Sequence, residues 1–417
     1  MSMNAAVWVA FSLLATADAA PQYSAELIFP LHHEHNHAPG VVEAPGGDLL
    51  VSWYRGAGER SADDVAVYGA RRKSGEAAWS EPFVMADTPG FPDCNTCMMV
   101  DRHGRLSLFW PVIIANSWES CITRRRASSD FAGPGAPRWG QDDWILLKPD
   151  DFSGPANAEL DKLVEKYKLL LTEDLRDEIA EGRRKLADKL YQRLGWQPRC
   201  KPTVLPTGRI LLPLYSDTFS ISLMAISDDE GKTWYASKPL LGFGAIQPTV
   251  LRRDNGELAA YMRDNGLENR IKTAVSHDDG VTWGPVTATD LPNPGAGIDG
   301  VRLANGHWLL VYNDLADGRN SLAVSVSDDE GRSWKWTRRL EHEPSGSFHY
   351  PAVIQGADGT IHVVYSYFVE GGKSMKHAAF NEAWVREEPA ATESAAAEQP
   401  LPPSSATEAA PAAAVVP

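Results

Sequence analysis

The sequence predicts an all-β chain, a six-bladed β-propeller with four-stranded antiparallel blades and a two-helix insertion. Three observations carry that prediction. A unit of apolar strand, glycine turn and apolar strand recurs six times along the 417 residues. A second turn, ending in Trp, follows these hairpins. The Trp residues recur about every 50 residues except across one segment, and that segment has helical rather than strand periodicity.

The chain opens with an apolar run from Ala5 to Leu14, followed by Ala17-Asp18-Ala19-Ala20. Small residues in that arrangement suit a signal peptidase, so residues 1–20 are expected to be a signal peptide and the protein to be secreted or periplasmic. The run is too short to cross a bilayer, and no other stretch has 18 unbroken apolar residues, so no membrane span is expected.

The propeller is expected over residues 25–385. Its hairpins read VVEAPGGDLLVSW (41–53), MVDRHGRLSLFW (99–110), VLPTGRILLPLY (204–215), VLRRDNGELAAYM (250–262), VRLANGHWLLVY (301–312) and VIQGADGTIHVVY (353–365). Glycine lets each turn adopt positive φ without a steric penalty, and the flanking apolar residues suit buried strands. The Trp-terminated turns are sharpest at SDDEGKTW (227–234), SHDDGVTW (276–283) and SDDEGRSW (327–334), which fit S-x-D-x-G-x-[ST]-W, the Asp-box. The Asp is expected to accept hydrogen bonds from turn N–H groups, and the Trp to pack the turn onto its own blade. Degenerate copies end at Trp79 and Trp139, and a last strand is expected to carry Trp384. The gaps between these Trp residues are 60, 95, 49, 51 and 50. Only the 95 is anomalous.

That gap contains the insertion, about 155–197. Leu160, Leu163, Val164, Tyr167 and Leu171 recur at helical spacing, as do Leu175, Ile179, Leu186, Leu190 and Leu194, with Thr172 placed to cap the second helix. The apolar stripe is read as a face packed on the propeller. Residues 387–417 are rich in Pro, Ala, Ser and Glu and are expected to be a disordered tail.

Composition narrows the partners. A net charge of −15 speaks against nucleic acid or an anionic membrane surface. Of the four cysteines, Cys94 and Cys97 have CxxC spacing, but no second CxxC completes a zinc site and no βα context suggests a redox motif. Disulfides or buried thiols are the expectation. In the run His32-His33-Glu34-His35-Asn36-His37, residues 33, 35 and 37 would share one strand face, a spacing that suits imidazole metal ligands.

In a propeller the innermost strands surround one axis, so their entries converge although they lie about 50 residues apart. The entries offer His37, Asn95, Lys201 with Arg199, Gln247, Asp299 and Tyr350 to one mouth of the channel. Arg263 ends the second strand of the fourth unit and Arg319 precedes the third strand of the fifth. The loop GERSADD brings Asp63 and Asp64. Two arginines supply forked donors for a carboxylate, unless Arg263 pairs with Asp264 and Arg319 with Asp317.

With these residues in place, the chain resembles the sialidase superfamily, specifically its bacterial Asp-box, or BNR-repeat, members, apart from the helical insertion. The resemblance implies a glycosidase with no cofactor and no catalytic metal. It implies Tyr350 as nucleophile, Arg263 and Arg319 on the substrate carboxylate, and Asp63, with Asp64 competing, as acid/base. Two positions depart from the family pattern. His37 stands where the first arginine is expected. Gln247 stands where a Glu would take the phenolic proton, which an amide cannot do. The expectation is an exported glycoside hydrolase acting on an acidic sugar. A polysaccharide lyase is the first alternative, with Tyr350 or His37 abstracting a C5 proton. A non-catalytic carbohydrate-binding propeller is the second.

Overall fold

The computed structural model describes residues 20–387. The expected signal peptide up to residue 19 and the expected tail from residue 388 lie outside the described residues. Six four-stranded antiparallel sheets surround one axis. Their innermost strands are His35–Glu43, Cys97–Val100, Trp196–Pro198, Ala245–Arg252, Asp299–Arg302 and Ser347–Gln355, here taken as blades 1 to 6. Blade 3 carries one extra short strand, Thr203–Val204, on its second strand. No described helix is long and apolar enough to cross a membrane.

The ring closes through its termini. The first strand of the chain, Tyr23–Leu27, pairs with Gly372–Phe380 and forms the outer strand of blade 6. That outer position is therefore taken before the chain reaches Trp384. Instead of the expected strand, Glu382–Arg386 is a short helix capped by the Asn381 side chain, and Trp384 stacks on Tyr23 with ring centroids 4.4 Å apart.

The three repeated turns link the third and fourth strands of blades 3, 4 and 5, at the end of each blade away from the strand entries. In each, an Asp gathers the turn. Asp229 accepts from Ser227 Oγ (2.9 Å), Thr233 N (2.9 Å) and Thr233 Oγ1 (2.6 Å). Asp278 and Asp329 repeat the pattern. Each Trp packs with side chains of its own blade, as expected, and also reaches the preceding one. Trp234 meets Phe109 of blade 2, Trp334 meets Tyr261 of blade 4, and Trp283 joins the cluster around Leu211 of blade 3. Each Trp thus lies at the seam between two blades and contributes apolar area to both.

The insertion folds as α1 (Ser153–Lys166), α2 (Glu173–Ala187) and α3 (Lys189–Arg193). Thr172 caps α2 by accepting from Leu175 N. The expected second helix is interrupted at Asp188, whose side chain caps α3, so Leu190 turns to solvent. Leu160 and Leu186 pack with Phe152, Trp196 and Phe219 against blade 3. The link between α1 and α2 leans toward the loop that follows Arg263, enclosing an apolar cleft of about 160 Å³.

Candidate functional site

A backbone device repeats at three of the strand entries. Ala38, Gln247 and Tyr350 each precede a proline, yet each sits at positive φ, 51°, 56° and 56°. Each lies where strand register slips by a bulge, between His37 and Gly40, Ile246 and Thr249, and His349 and Ala352. A bulge breaks side-chain alternation and re-aims the bulged residue. A non-glycine residue held left-handed costs of order 1–3 kcal/mol. Here the distortion turns Gln247 and Tyr350 toward the axis.

Tyr350, 9% exposed, is the centre of the mouth. Its phenol oxygen accepts from Arg263 Nη1 at 2.9 Å and from Gln247 Nε2 at 3.2 Å. The Arg319 guanidinium lies 5.8 Å from its ring centroid and that of Arg199 lies 5.0 Å away. Arg199, 1% exposed, reaches across the channel from blade 3 and donates to Pro39 O (3.3 Å) and Pro351 O (2.7 Å). It thereby ties together the bulges of blades 1 and 6. Arg263 also donates to Asn265 Oδ1 (3.0 Å), and Arg319 to Gly295 O (2.8 Å). The surface pairs with Asp264 and Asp317 do not form. Among the described residues none of the three guanidiniums forms a salt bridge with a carboxylate, so their charges are not directly paired. Burial pulls Arg319 below the usual arginine range.

Two imidazoles flank the phenol. The His37 ring is 4.3 Å from that of Tyr350, and His349 lies 4.8 Å from His37. His37 Nδ1 bonds Ser366 Oγ at 2.9 Å. Burial first, then the charges of nearby arginines and His35, and for His37 also that of His349, holds both well below the ordinary histidine range, so both are neutral. Gly297 lies against the pair opposite. A Cβ there would come within 3.1 Å of Gln247 Oε1 and 3.5 Å of Tyr350 Cγ. Among the described residues no cluster of three or more His, Cys, Asp or Glu side chains is poised to hold a metal.

The remaining sequence candidates are placed differently. Lys201 and Asp299 are spent on each other below the mouth, Nζ to Oδ2 at 2.8 Å. Asn95 donates to Gln197 Oε1 and Tyr215 OH, both at 3.0 Å, buttressing the wall between blades 2 and 3. Asp63 is exposed and accepts from Asn116 Nδ2 at 2.8 Å, while Asp64 accepts from Ala57 N at 3.1 Å. Neither has a contact with the Tyr350 cluster. Two carboxyl groups at the mouth escape sequence reasoning. Glu59 belongs to the same loop as Asp63 and accepts from Tyr54 OH at 2.6 Å. Asp217 follows the second strand of blade 3 and accepts from Gln197 Nε2 at 2.8 Å. All four cysteines are free and buried, so the thiol alternative holds and no disulfide forms.

Comparison with known proteins agrees with this architecture. The BNR repeat-like domain family matches residues 194–363. A sialidase of Micromonospora viridifaciens is 30% identical over 169 residues, which are 38% of this chain and 25% of that protein. The chain thus spans about a quarter of the length of that relative. A sialidase of Streptococcus pneumoniae superposes with a TM-score of 0.65 at 12% identity, covering 86% of this chain and 71% of that one. A protein of unknown function from Dyadobacter fermentans superposes equally well, with a TM-score of 0.65 at 15% identity, covering 86% of this chain and 97% of that one.

Proposed function

Because the chain belongs to the sialidase and BNR-repeat superfamily, we propose that it is an exported glycoside hydrolase acting on an acidic, carboxylate-bearing sugar. One observation carries the reading: Arg199, Arg263 and Arg319 surround Tyr350, and among the described residues none of them forms a salt bridge with a carboxylate. Buried or half-buried guanidiniums without a counter-ion are costly, and a substrate carboxylate supplies the missing charge. Arg263 and Arg319 are the half-buried pair that takes it. Arg199 is sealed beneath and holds the Tyr350 ring in place. With the carboxylate clamped, the anomeric carbon rests over the phenol. Gln247 fixes the phenol oxygen but has no basic atom to accept its proton.

The test is hydrolysis of 4-methylumbelliferyl glycosides of sialic acid and glucuronic acid beside neutral hexosides. Release from an acidic glycoside alone, lost in Arg263→Ala and reduced in Tyr350→Phe, supports the reading. Release from neutral hexosides with equal efficiency sinks it. One observation favours elimination as a second reading: the His37 ring lies 4.3 Å from that of Tyr350, a pair that could relay the proton a uronate lyase moves. That reading predicts an unsaturated uronate product, detected by its ultraviolet absorbance.

A further inference from the structure

The mouth holds two carboxyl groups that the arginine clamp does not use. We infer that Asp217 is the general acid of this site and Glu59 its general base, with water rather than Tyr350 as the nucleophile. The inference rests on the hydrolase reading above and assigns its proton transfers to residues other than Asp63.

An aspartate ends or closely follows the second strand in blades 3, 4 and 5, as Asp217, Asp264 and Asp314. In two of the three it is consumed within its own blade. Asp264 accepts from Gly266 N (2.9 Å) and Arg270 N (3.4 Å); Asp314 accepts from Ser321 Oγ (2.5 Å) and Arg339 Nε (2.8 Å). In blade 3 the turn is closed instead by Ser216 Oγ, which accepts from Phe219 N (3.4 Å). Asp217 is left with one hydrogen bond, from Gln197 to Oδ2, and its Oδ1 has no donor among the described residues. It is half-buried, with Arg263, Arg60 and Glu59 as the charged groups that face it.

Glu59 is built the opposite way. Tyr54 OH and His35 Nε2 converge on its Oε1 at 2.6 and 3.3 Å, while Oε2 lies 3.7 Å from Arg60 Nη1. Tyr54 is fully buried in the same cluster as Ala38 and Tyr350, and the His37 ring stands between the two phenols, 5.6 and 4.3 Å away. The carboxylate is thus held at the mouth by a rigid phenol.

The two environments separate the carboxyls. Burial lifts Asp217 above the ordinary aspartate range. Burial also pushes Glu59 up, but the hydrogen bonds from His35 and Tyr54 outweigh it and hold it below the ordinary range. Two carboxyls at one mouth whose surroundings push their proton affinities apart are the arrangement that marks an acid and a base.

In the reaction, Asp217 gives its proton to the glycosidic oxygen as the C–O bond breaks. The bonding pair leaves with that oxygen as an alcohol. Water attacks the anomeric carbon and its proton passes to Glu59, so one water is consumed and two hydroxyl groups form. Proton exchange with solvent restores both carboxyls. Water attack removes the need for a tyrosinate, which accounts for Gln247 where a base would otherwise be required.

The experiment uses the full chain with an alkyl-linked acidic disaccharide and an aryl glycoside of the same sugar whose leaving group departs without protonation. In Asp217→Asn the disaccharide is expected to lose about 10²–10⁴-fold in kcat and the aryl glycoside to stay within about tenfold. Glu59→Gln should lose both, and added azide should restore turnover as a glycosyl azide. The split between substrates and the azide product cannot arise from misfolding. Equal losses on both substrates in Asp217→Asn, or no azide product with Glu59→Gln, overturn the assignment. A wild-type protein that cleaves neither acidic glycoside removes the hydrolase reading itself, and that result appears before any variant is made.

Discussion

Truncating Asp299 to alanine is expected to destabilise the propeller severely while leaving recognition of substrate intact. Asp299 is 1% exposed and accepts three hydrogen bonds, from Lys201 Nζ (2.8 Å), Thr249 Oγ1 (2.9 Å) and Val353 N (2.9 Å). These partners belong to blades 3, 4 and 6, and Asp299 itself opens the inner strand of blade 5. One carboxylate therefore ties four blades at the axis. Lys201 Nζ also donates to Gly300 O (2.7 Å), so the truncation does not strip it completely. Breaking a buried ion pair from one side costs about 3–5 kcal/mol. The orphaned Val353 N–H and Thr249 O–H fall within that figure, at about 1–3 kcal/mol for each unsatisfied group. Urea unfolding followed by Trp fluorescence should show the midpoint falling by an amount that matches this loss through an unchanged m-value. Binding of an acidic sugar, measured by calorimetry below the transition, should be unaffected. A stability loss under about 1 kcal/mol combined with lost binding would refute the reasoning and return Asp299 to the substrate site.

Arg263→Ala and Arg319→Ala should each weaken an acidic sugar by about 2–4 kcal/mol, or roughly 30- to 1000-fold in Kd, and leave neutral sugars unchanged in the same titration. The pH–rate profile should peak on the acid side of neutrality, since Glu59 ionises below its ordinary value and Asp217 holds its proton somewhat above its own; the alkaline limb should disappear in Asp217→Asn. The repeated turns should make the fold acid-labile. Asp229 and Asp329 are held at about 2 against an ordinary 3.8, so their contribution is present above the ordinary value and lost as pH falls toward 2, and Asp229→Ala should flatten that part of the denaturation curve. A thiol reagent should label none of the four cysteines in the native protein and all four after unfolding. Burial removes access to each thiol and raises its pKa, that of Cys200 to about 12.

The legible part of this protein is the part written in local spacing. Strand alternation, glycine turns and the Asp of each repeated turn act within a dozen residues, so their geometry follows from nearest neighbours. The Trp of each repeated turn touches two sheets, and only its contact with the preceding blade depends on how the ring closes. Trp384 was misread because the strand that displaced it comes from the other end of the chain. The candidate site mixes both situations. Gln247 and Tyr350 stand before prolines at recurring strand entries, a visible signal. Arg199 is reported by a position in blade 3 but acts between blades 1 and 6. Glu59 and Asp217 had weaker signals, a loop acid next to a more conspicuous pair and one aspartate among three in the same register.

By itself the sequence determined that six hairpin units would form and where the helices would interrupt them, because periodicity and turn chemistry are properties of contiguous residues. It also determined that polar side chains would gather at the strand entries. Only the tertiary structure decided which of those polar groups spend themselves on one another. Lys201 and Asp299 neutralise each other in the channel, while among the described residues Arg263 and Arg319 form no salt bridge and remain available to a ligand. Charge pairing across 100 residues depends on distances set by ring closure, and no local pattern encodes them.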